Sequence, residues 1–201
     1  GEIEYGAGAE VDNMMLVTDG TGVGGGLVLE GELYSGAFGV GAEIGHMRVV
    51  PNGHLCGCGN RGCWEQYASG SALVRNVRSA ARGGSLLARD VLDRAEGDLD
   101  KIKGPLITEA ARDGDAFAIE ALTDLGIWLG EGIASIAAVL DPAVVAIGGG
   151  VAEADDLLLG PARRAFQAQL TGRGHRPMLD VRKATLGNQA GLIGAADLAR
   201  K

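Results

Sequence analysis

The run Cys56-Gly57-Cys58-Gly59-Asn60-Arg61-Gly62-Cys63-Trp64-Glu65 contains all three cysteines of the chain, and His46 lies ten positions before the first of them. Glycines between the thiols let the backbone turn sharply enough for several sulfurs to converge. Three thiolates and one imidazole make a closed tetrahedral Cys3His set, the ligand type and number of a structural zinc site. The competing reading is of free, buried, inert thiols, but chance placement would rarely gather every cysteine into one glycine-rich loop. The odd count disfavours a disulfide framework, and the sequence shows no secretory segment. On spacing alone His54, two positions before Cys56, competes for the fourth place. His46 is favoured because it can approach from a separate element. Glu65, two positions beyond Cys63, joins this knuckle to a candidate substrate-binding carboxylate.

Composition bounds what surrounds the knuckle. With 201 residues, 46% of them hydrophobic, the chain can bury a core as one large domain or two small ones. Eighteen basic residues against 26 acidic ones give a net charge of −8, which argues against binding a phosphate backbone through this chain. No apolar run is read as membrane-spanning and no targeting segment is found, so a cytoplasmic, membrane-free protein is expected. Its 35 glycines far exceed the usual share of about 7%. They cluster in loops without a period, as tight turns and backbone-mediated ligand sites require.

The first third reads as β-structure. Met14–Thr18 is a strand, residues 19–26 a glycine turn, Leu27–Leu29 a second strand, Glu30-Gly31-Glu32 a turn and Leu33-Tyr34 its continuation. A glycine-rich loop over 36–45 leads to a short strand, Met47–Val50, ended by Pro51. Helical spacing then dominates: Ser71–Arg82, Ser85–Arg94, Gly104–Arg112 and Ala116–Leu140, the last closed by Asp141-Pro142. Val144–Ile147 is a buried strand running into Gly148-Gly149-Gly150. A helix near 155–170, a strand near 178–186 and a terminal helix from about Gly191 complete an α/β chain whose strand-to-helix junctions carry the glycines.

Two glycine turns and one acidic set carry further chemistry. In Thr18-Asp19-Gly20-Thr21-Gly22, amides without side chains in the way can cradle phosphate oxygens and a Thr hydroxyl adds a donor, although an ordinary hairpin turn has the same composition. Gly148-Gly149-Gly150 follows a strand and precedes a helix, which suits close approach by a nucleotide. Glu43, His46 and Glu65 can accept and share bonds with vicinal hydroxyls, one nitrogen of His46 remaining for the metal. Solvated surface acids are the alternative for the two glutamates.

Glu43-Ile44-Gly45-His46, then Cys56-Gly57-Cys58-Gly59, then Gly62-Cys63-Trp64-Glu65 together resemble the signature of the ROK family of repressors and sugar kinases, and its bacterial glucokinases in particular. The likeness also covers Gly20–Gly26 and Asp141–Val151, and runs over essentially the whole chain. It implies an actin-like, ribonuclease H-like ATPase lobe with a zinc knuckle. It implies zinc on His46, Cys56, Cys58 and Cys63, a hexose such as glucose on Glu43, His46 and Glu65, and Mg2+-ATP at Thr18, Gly20, Thr21, Gly22 and Gly148–Gly150. Residues 1–201 would then be a C-terminal lobe, with residues from about 191 packing on an N-terminal lobe. The family's Asp-x-Gly-Gly-Thr strand and its catalytic Asp have no counterpart among these residues and are expected before Gly1. The chain alone is therefore expected to be inactive, and the full-length protein to be a homo-oligomer. A sugar-sensing repressor lobe is the alternative. Asp19 departs from the family, which has an apolar residue there. Strand alternation aims it opposite to Thr18.

Overall fold

The computed structural model of the chain describes residues 1–200. Its helices are α1 (Glu2–Tyr5), α2 (Glu65–Ala68), α3 (Gly70–Arg82), α4 (Arg89–Arg94), α5 (Gly104–Arg112), α6 (Ala116–Leu140), α7 (Asp156–Gln169) and α8 (Ala190–Leu198). Five strands, β1 (Met14–Asp19), β2 (Val23–Leu29), β3 (Glu32–Leu33), β4 (Val144–Gly148) and β5 (Asp180–Lys183), form one sheet in the order β3-β2-β1-β4-β5. The hairpin strands β2 and β3 pair antiparallel, whereas β4 joins β1 in parallel and β5 joins β4 in parallel. A parallel neighbour needs a long crossover, and the whole stretch from α2 to α6 supplies it.

Side-chain alternation makes β1 the divide between two layers. Met15 and Val17 point into the main core, where they meet Val145 and Ile147 of β4 with Leu129 and Ile133 of α6. Met14 points the other way, into a smaller cluster with Ala7, Val28 and Ala146. All five residues of β4 are buried, as expected of a strand covered on both faces.

The helix α6 shows how local chemistry sets an element's ends. The Asp115 carboxylate accepts a bond from the Ala118 N–H at 2.7 Å, which satisfies one orphan donor of the first turn. At the other end Asp141 takes a left-handed conformation (φ 44°) and Pro142 cannot continue the helix. This helix corrects the expectation that no segment approaches membrane-spanning length, since its 25 residues are long and apolar enough by composition. The cause of that composition is visible in the fold: α6 is the core helix and packs along α7.

Other boundaries also differ from the sequence reading. Gly24, Gly25 and Gly26 are strand residues paired with Thr18, Val17 and Leu16, not part of a turn. A glycine-rich strand is weak by propensity, but here the ladder and close packing decide. Met47–Val50 is not a strand: Arg48 makes an isolated bridge to Cys63, and the Val49 and Val50 amides bond the Gly62 carbonyl. Its partner is the knuckle, so it never reaches the sheet. Ser85–Arg94 divides into a 3-10 turn over Leu86–Ala88 and α4. The last strand is shorter than 178–186.

The two ends of the described chain meet. Glu2 is buried and its carboxylate accepts from the amides of Ala7 (2.8 Å), Thr185 (3.1 Å) and Leu186 (2.7 Å). Burial pushes that carboxyl up, but the backbone donors from Ala7, Leu186 and Thr185 outweigh it and hold the group below its ordinary range. Helix α8 follows directly and buries none of its residues; Leu192 is 74% exposed and Leu198 60%.

Candidate functional site

The register of β1 against β4 pairs Thr18 with Gly148, so both glycine turns emerge side by side at the carboxyl end of parallel strands. That edge is where open α/β sheets bind ligands. The contact between the turns is tight: a Cβ on Gly149 (φ 93°) would lie 2.2 Å from the Asp19 carbonyl oxygen, so only glycine fits there. Gly20 and Gly150 instead face open space. Thr18 is exposed and Asp19 wholly buried, as alternation requires.

Asp19 is chemically out of place. Neither of its carboxylate oxygens has a hydrogen-bond partner among the described residues. The Gly70 N–H is near, and pulls the carboxyl slightly down, but it donates to the Gly20 carbonyl at 2.8 Å. Burial dominates and lifts the Asp19 carboxyl well above the usual carboxylate range.

The opposite side of this edge is built from the knuckle. Trp64 is fully buried, its indole N–H donates to the Trp128 carbonyl at 2.8 Å, and a Cβ on Gly132 would stand 2.1 Å from its ring. This anchor fixes the direction of the next residue. Glu65 reaches the first glycine turn, where a Cβ on Gly22 would lie 2.6 Å from its Oε2. Its other oxygen lies 3.9 Å from His46 Nδ1 and 2.9 Å from Cys56 Sγ. His46 Nε2 stands 4.0 Å from Glu43 Oε2. Glu43, His46 and Glu65 thus converge on one imidazole beside the first glycine turn.

The candidate ligand atoms of His46, Cys56, Cys58 and Cys63 all lie within 4.8 Å of one another. His46 Nδ1 is 3.6 Å from Cys56 Sγ, and Cys58 Sγ is 3.6 Å from Cys63 Sγ. Ligands at about 2.0–2.3 Å from a tetrahedral zinc stand roughly 3.5 Å apart, so the donor set fits and is consistent with a zinc site. Without metal the thiols differ: the Asn60 N–H pulls Cys58 down to about 7, while burial pushes Cys56 up to about 12 and Cys63 upward. His54 stays outside the cluster, its ring 5.3 Å from that of Tyr67.

Sequence reasoning missed the far wall of the site. A cleft of about 970 Å3 opens from Gly20, Thr21 and Gly150 and is walled by α3 and α5. Arg75, Arg78 and Arg82 line it from α3, and Thr108 and Arg112 from α5. Their helical spacing was legible, but it marks them only as a polar face. The packing of α3 against α5 turns that face inward.

A family model described as "ROK family" matches residues 1–201. The chain belongs to the ROK family. It is 46% identical to a glucokinase of Streptomyces coelicolor over 201 residues, all of this chain and 63% of that protein. A crystal structure of a ROK family glucokinase from Streptomyces griseus in complex with glucose and AMPPNP superposes with a TM-score of 0.93 at 47% identity, over 99% of this chain and 64% of that one. The chain therefore has the actin-like α/β fold that its motifs implied. The xylose repressor of Bacillus subtilis is 28% identical over 198 residues, 98% of this chain and 47% of that protein. The chain thus spans less than two thirds of the length of these relatives.

Proposed function

We propose that the whole protein phosphorylates glucose with ATP, and that this chain is its C-terminal lobe, supplying the sugar, zinc and nucleotide sites. The observation that carries this reading is the contact of Glu65 with Gly22. It puts an acceptor carboxylate against a phosphate-type turn, as transfer between two bound substrates needs. The two glucokinase relatives support the same substrates.

Glu43, Glu65 and His46 would orient the sugar hydroxyls, contributing position and not proton transfer. We assign no general base within this chain. The amides of Gly20–Gly22 and Gly148–Gly150, with the hydroxyls of Thr18 and Thr21, would hold phosphate oxygens. Mg2+, when bound with ATP, neutralises charge on the transferring phosphoryl group. Zinc on His46, Cys56, Cys58 and Cys63 would fix the loop from which Glu65 projects and turn the His46 ring so that Nε2 faces the sugar. We further infer a homo-oligomer of the full-length protein in the cytoplasm, and packing of α8 on an N-terminal lobe.

The test is a coupled assay of the full-length protein with glucose and Mg-ATP, beside calorimetry with glucose. Turnover with glucose, lost in Glu65→Gln, is expected; glucose binding without any turnover would transfer the assignment to a sugar-sensing repressor. The similarity to a xylose repressor is the observation that favours that second reading.

A further inference from the structure

We propose that Arg75 is a phosphate-binding residue of the donor cleft, contacting the phosphate chain of the phosphoryl donor from the α3 side. The inference rests on the donor-site reading above and adds a residue that no motif of the chain marks.

The charge inventory of the cleft comes first. The chain has 26 acidic residues against 18 basic ones, yet four arginines and a single acid, Glu153, line this cleft. Glu153 has its carboxylate on Lys183 at 3.3 Å. Arg78 is satisfied by the protein itself: it donates to the carbonyls of Ile102 (3.0 Å) and Asp100 (2.8 Å) and faces the Asp100 carboxylate at 3.5 Å. Arg75 differs. It is partly buried, and its partners are both neutral, the carbonyl of Gln66 at 2.6 Å and the Gln66 side-chain oxygen at 3.4 Å. No carboxylate faces it among the described residues. Burial lowers its pKa, the mark of a cation losing hydration without gaining an anion. A guanidinium has five N–H donors, and Gln66 occupies one on each of two nitrogens.

Placement comes second. Gly70, the first residue of α3, donates its N–H to the Gly20 carbonyl at 2.8 Å, so the helix starts on the phosphate-type turn. Arg75 lies five residues on, about 7.5 Å along the axis. Helical side chains lean toward the N-terminus, and the bonds to Gln66, which precedes α3, show that Arg75 does so. Its head thereby lies toward the N-terminal end of α3, in the cleft that Gly20 and Thr21 also line. A desolvated, uncompensated fork in a cleft that opens from such a turn has the charge and the donors for phosphate oxygens.

The test uses the full-length protein and four forms: wild type, Arg75→Ala, Arg75→Lys and Arg94→Ala. Steady-state kinetics give KM for ATP and for glucose separately, equilibrium titration follows ATP and inorganic tripolyphosphate, and thermal melting reports the fold. Loss of a charge-assisted contact should raise KM for ATP about 10- to 100-fold in Arg75→Ala, with KM for glucose changed far less. Arg75→Lys should recover part of the loss, and Arg94→Ala, which removes a guanidinium held by Asp90 and Asp113 outside the cleft, should leave KM for ATP near wild type. If Arg75→Ala keeps KM for ATP within about twofold, or raises both constants together as its melting temperature falls, the assignment is overturned. Wild type that binds tripolyphosphate but not ATP would defeat the ATP reading while Arg75→Ala still decides the role of Arg75. Wild type that binds neither would end both.

Discussion

Asp19→Val should stabilise the protein, and by more as the pH rises. The carboxylate is wholly buried with neither oxygen bonded among the described residues, and Met15 and Val17 share its face of β1 in the main core. A buried polar group without partners costs about 1–3 kcal/mol, and valine restores the apolar character of that face in a similar volume. We expect a gain of about 2 kcal/mol, which in a domain of this size raises Tm by roughly 4–8 °C. The pH dependence has a definite sign. Burial raises the folded pKa well above the ordinary carboxylate range, so the folded state keeps a proton that the unfolded chain releases. Below the unfolded pKa both states are protonated and no penalty exists. Above it stability falls at about 1.4 kcal/mol per pH unit until the folded pKa is passed, and then levels. Urea titrations from pH 4 to pH 8 on wild type, Asp19→Asn and Asp19→Val measure this directly. The valine gap should widen as the pH rises from 4. Asparagine should flatten the pH dependence but gain less, because it leaves a polar group unpaired. A less stable valine variant, or a gap that does not change with pH, would show that Asp19 has a partner in solution.

Three further outcomes test other parts of the fold. The purified chain should carry one zinc, and Cys58→Ser should lose it together with a large part of its thermal stability, since structural zinc is worth on the order of 10 kcal/mol at neutral pH; full zinc content with unchanged melting would sink the ligand set. Gly132→Ala places a methyl 2.1 Å from the Trp64 ring, so overpacking of about 1–3 kcal/mol should lower Tm and, through the displaced Glu65, weaken glucose binding measured by calorimetry on the full-length protein; a neutral effect on both would mean that the indole is free to move. The exposed Leu192 and Leu198 should make the isolated chain associate at high concentration, as apolar patches do, and the Leu192→Lys/Leu198→Lys pair should suppress this in light scattering; a monomeric wild-type chain that binds no hydrophobic dye would leave α8 without need of a cover.

What could be read in advance was what is local. Four metal-type ligands within 18 residues, from His46 to Cys63, need only one loop and one short approach to meet, so spacing suffices to propose the set. Trp64 and Glu65 follow by adjacency. The glycines that follow β1 and those that close β4 were legible as turns because glycine runs at strand ends have few other uses. The glycines of β2 were not, because the property that lets Gly25 take the Ala42 carbonyl (2.4 Å from a would-be Cβ) also reads as a turn. Residues in the wall that α3 and α5 give the cleft sent no such signal. Arg75 and Thr108 belong to different helices, and only the packing of α3 on α5 makes them neighbours.

The site depends on β1 in a way that joins these two kinds of information. Its ladder to β4 sets Thr18 opposite Gly148, which brings two locally legible turns to one edge although 130 residues separate those partners. Its alternation sends Thr18 to solvent and Asp19 to the core. A slip of one residue would exchange those two fates: a carboxylate would then face the phosphate-type turn and a hydroxyl the apolar layer. The burial of Met15 and Val17 opposes that slip, so the core residues of the strand hold the functional ones in register. The buried Asp19 carboxylate, without a hydrogen-bond partner among the described residues, is the cost of keeping that register with this sequence, and replacing it should therefore change stability while leaving Thr18 opposite Gly148.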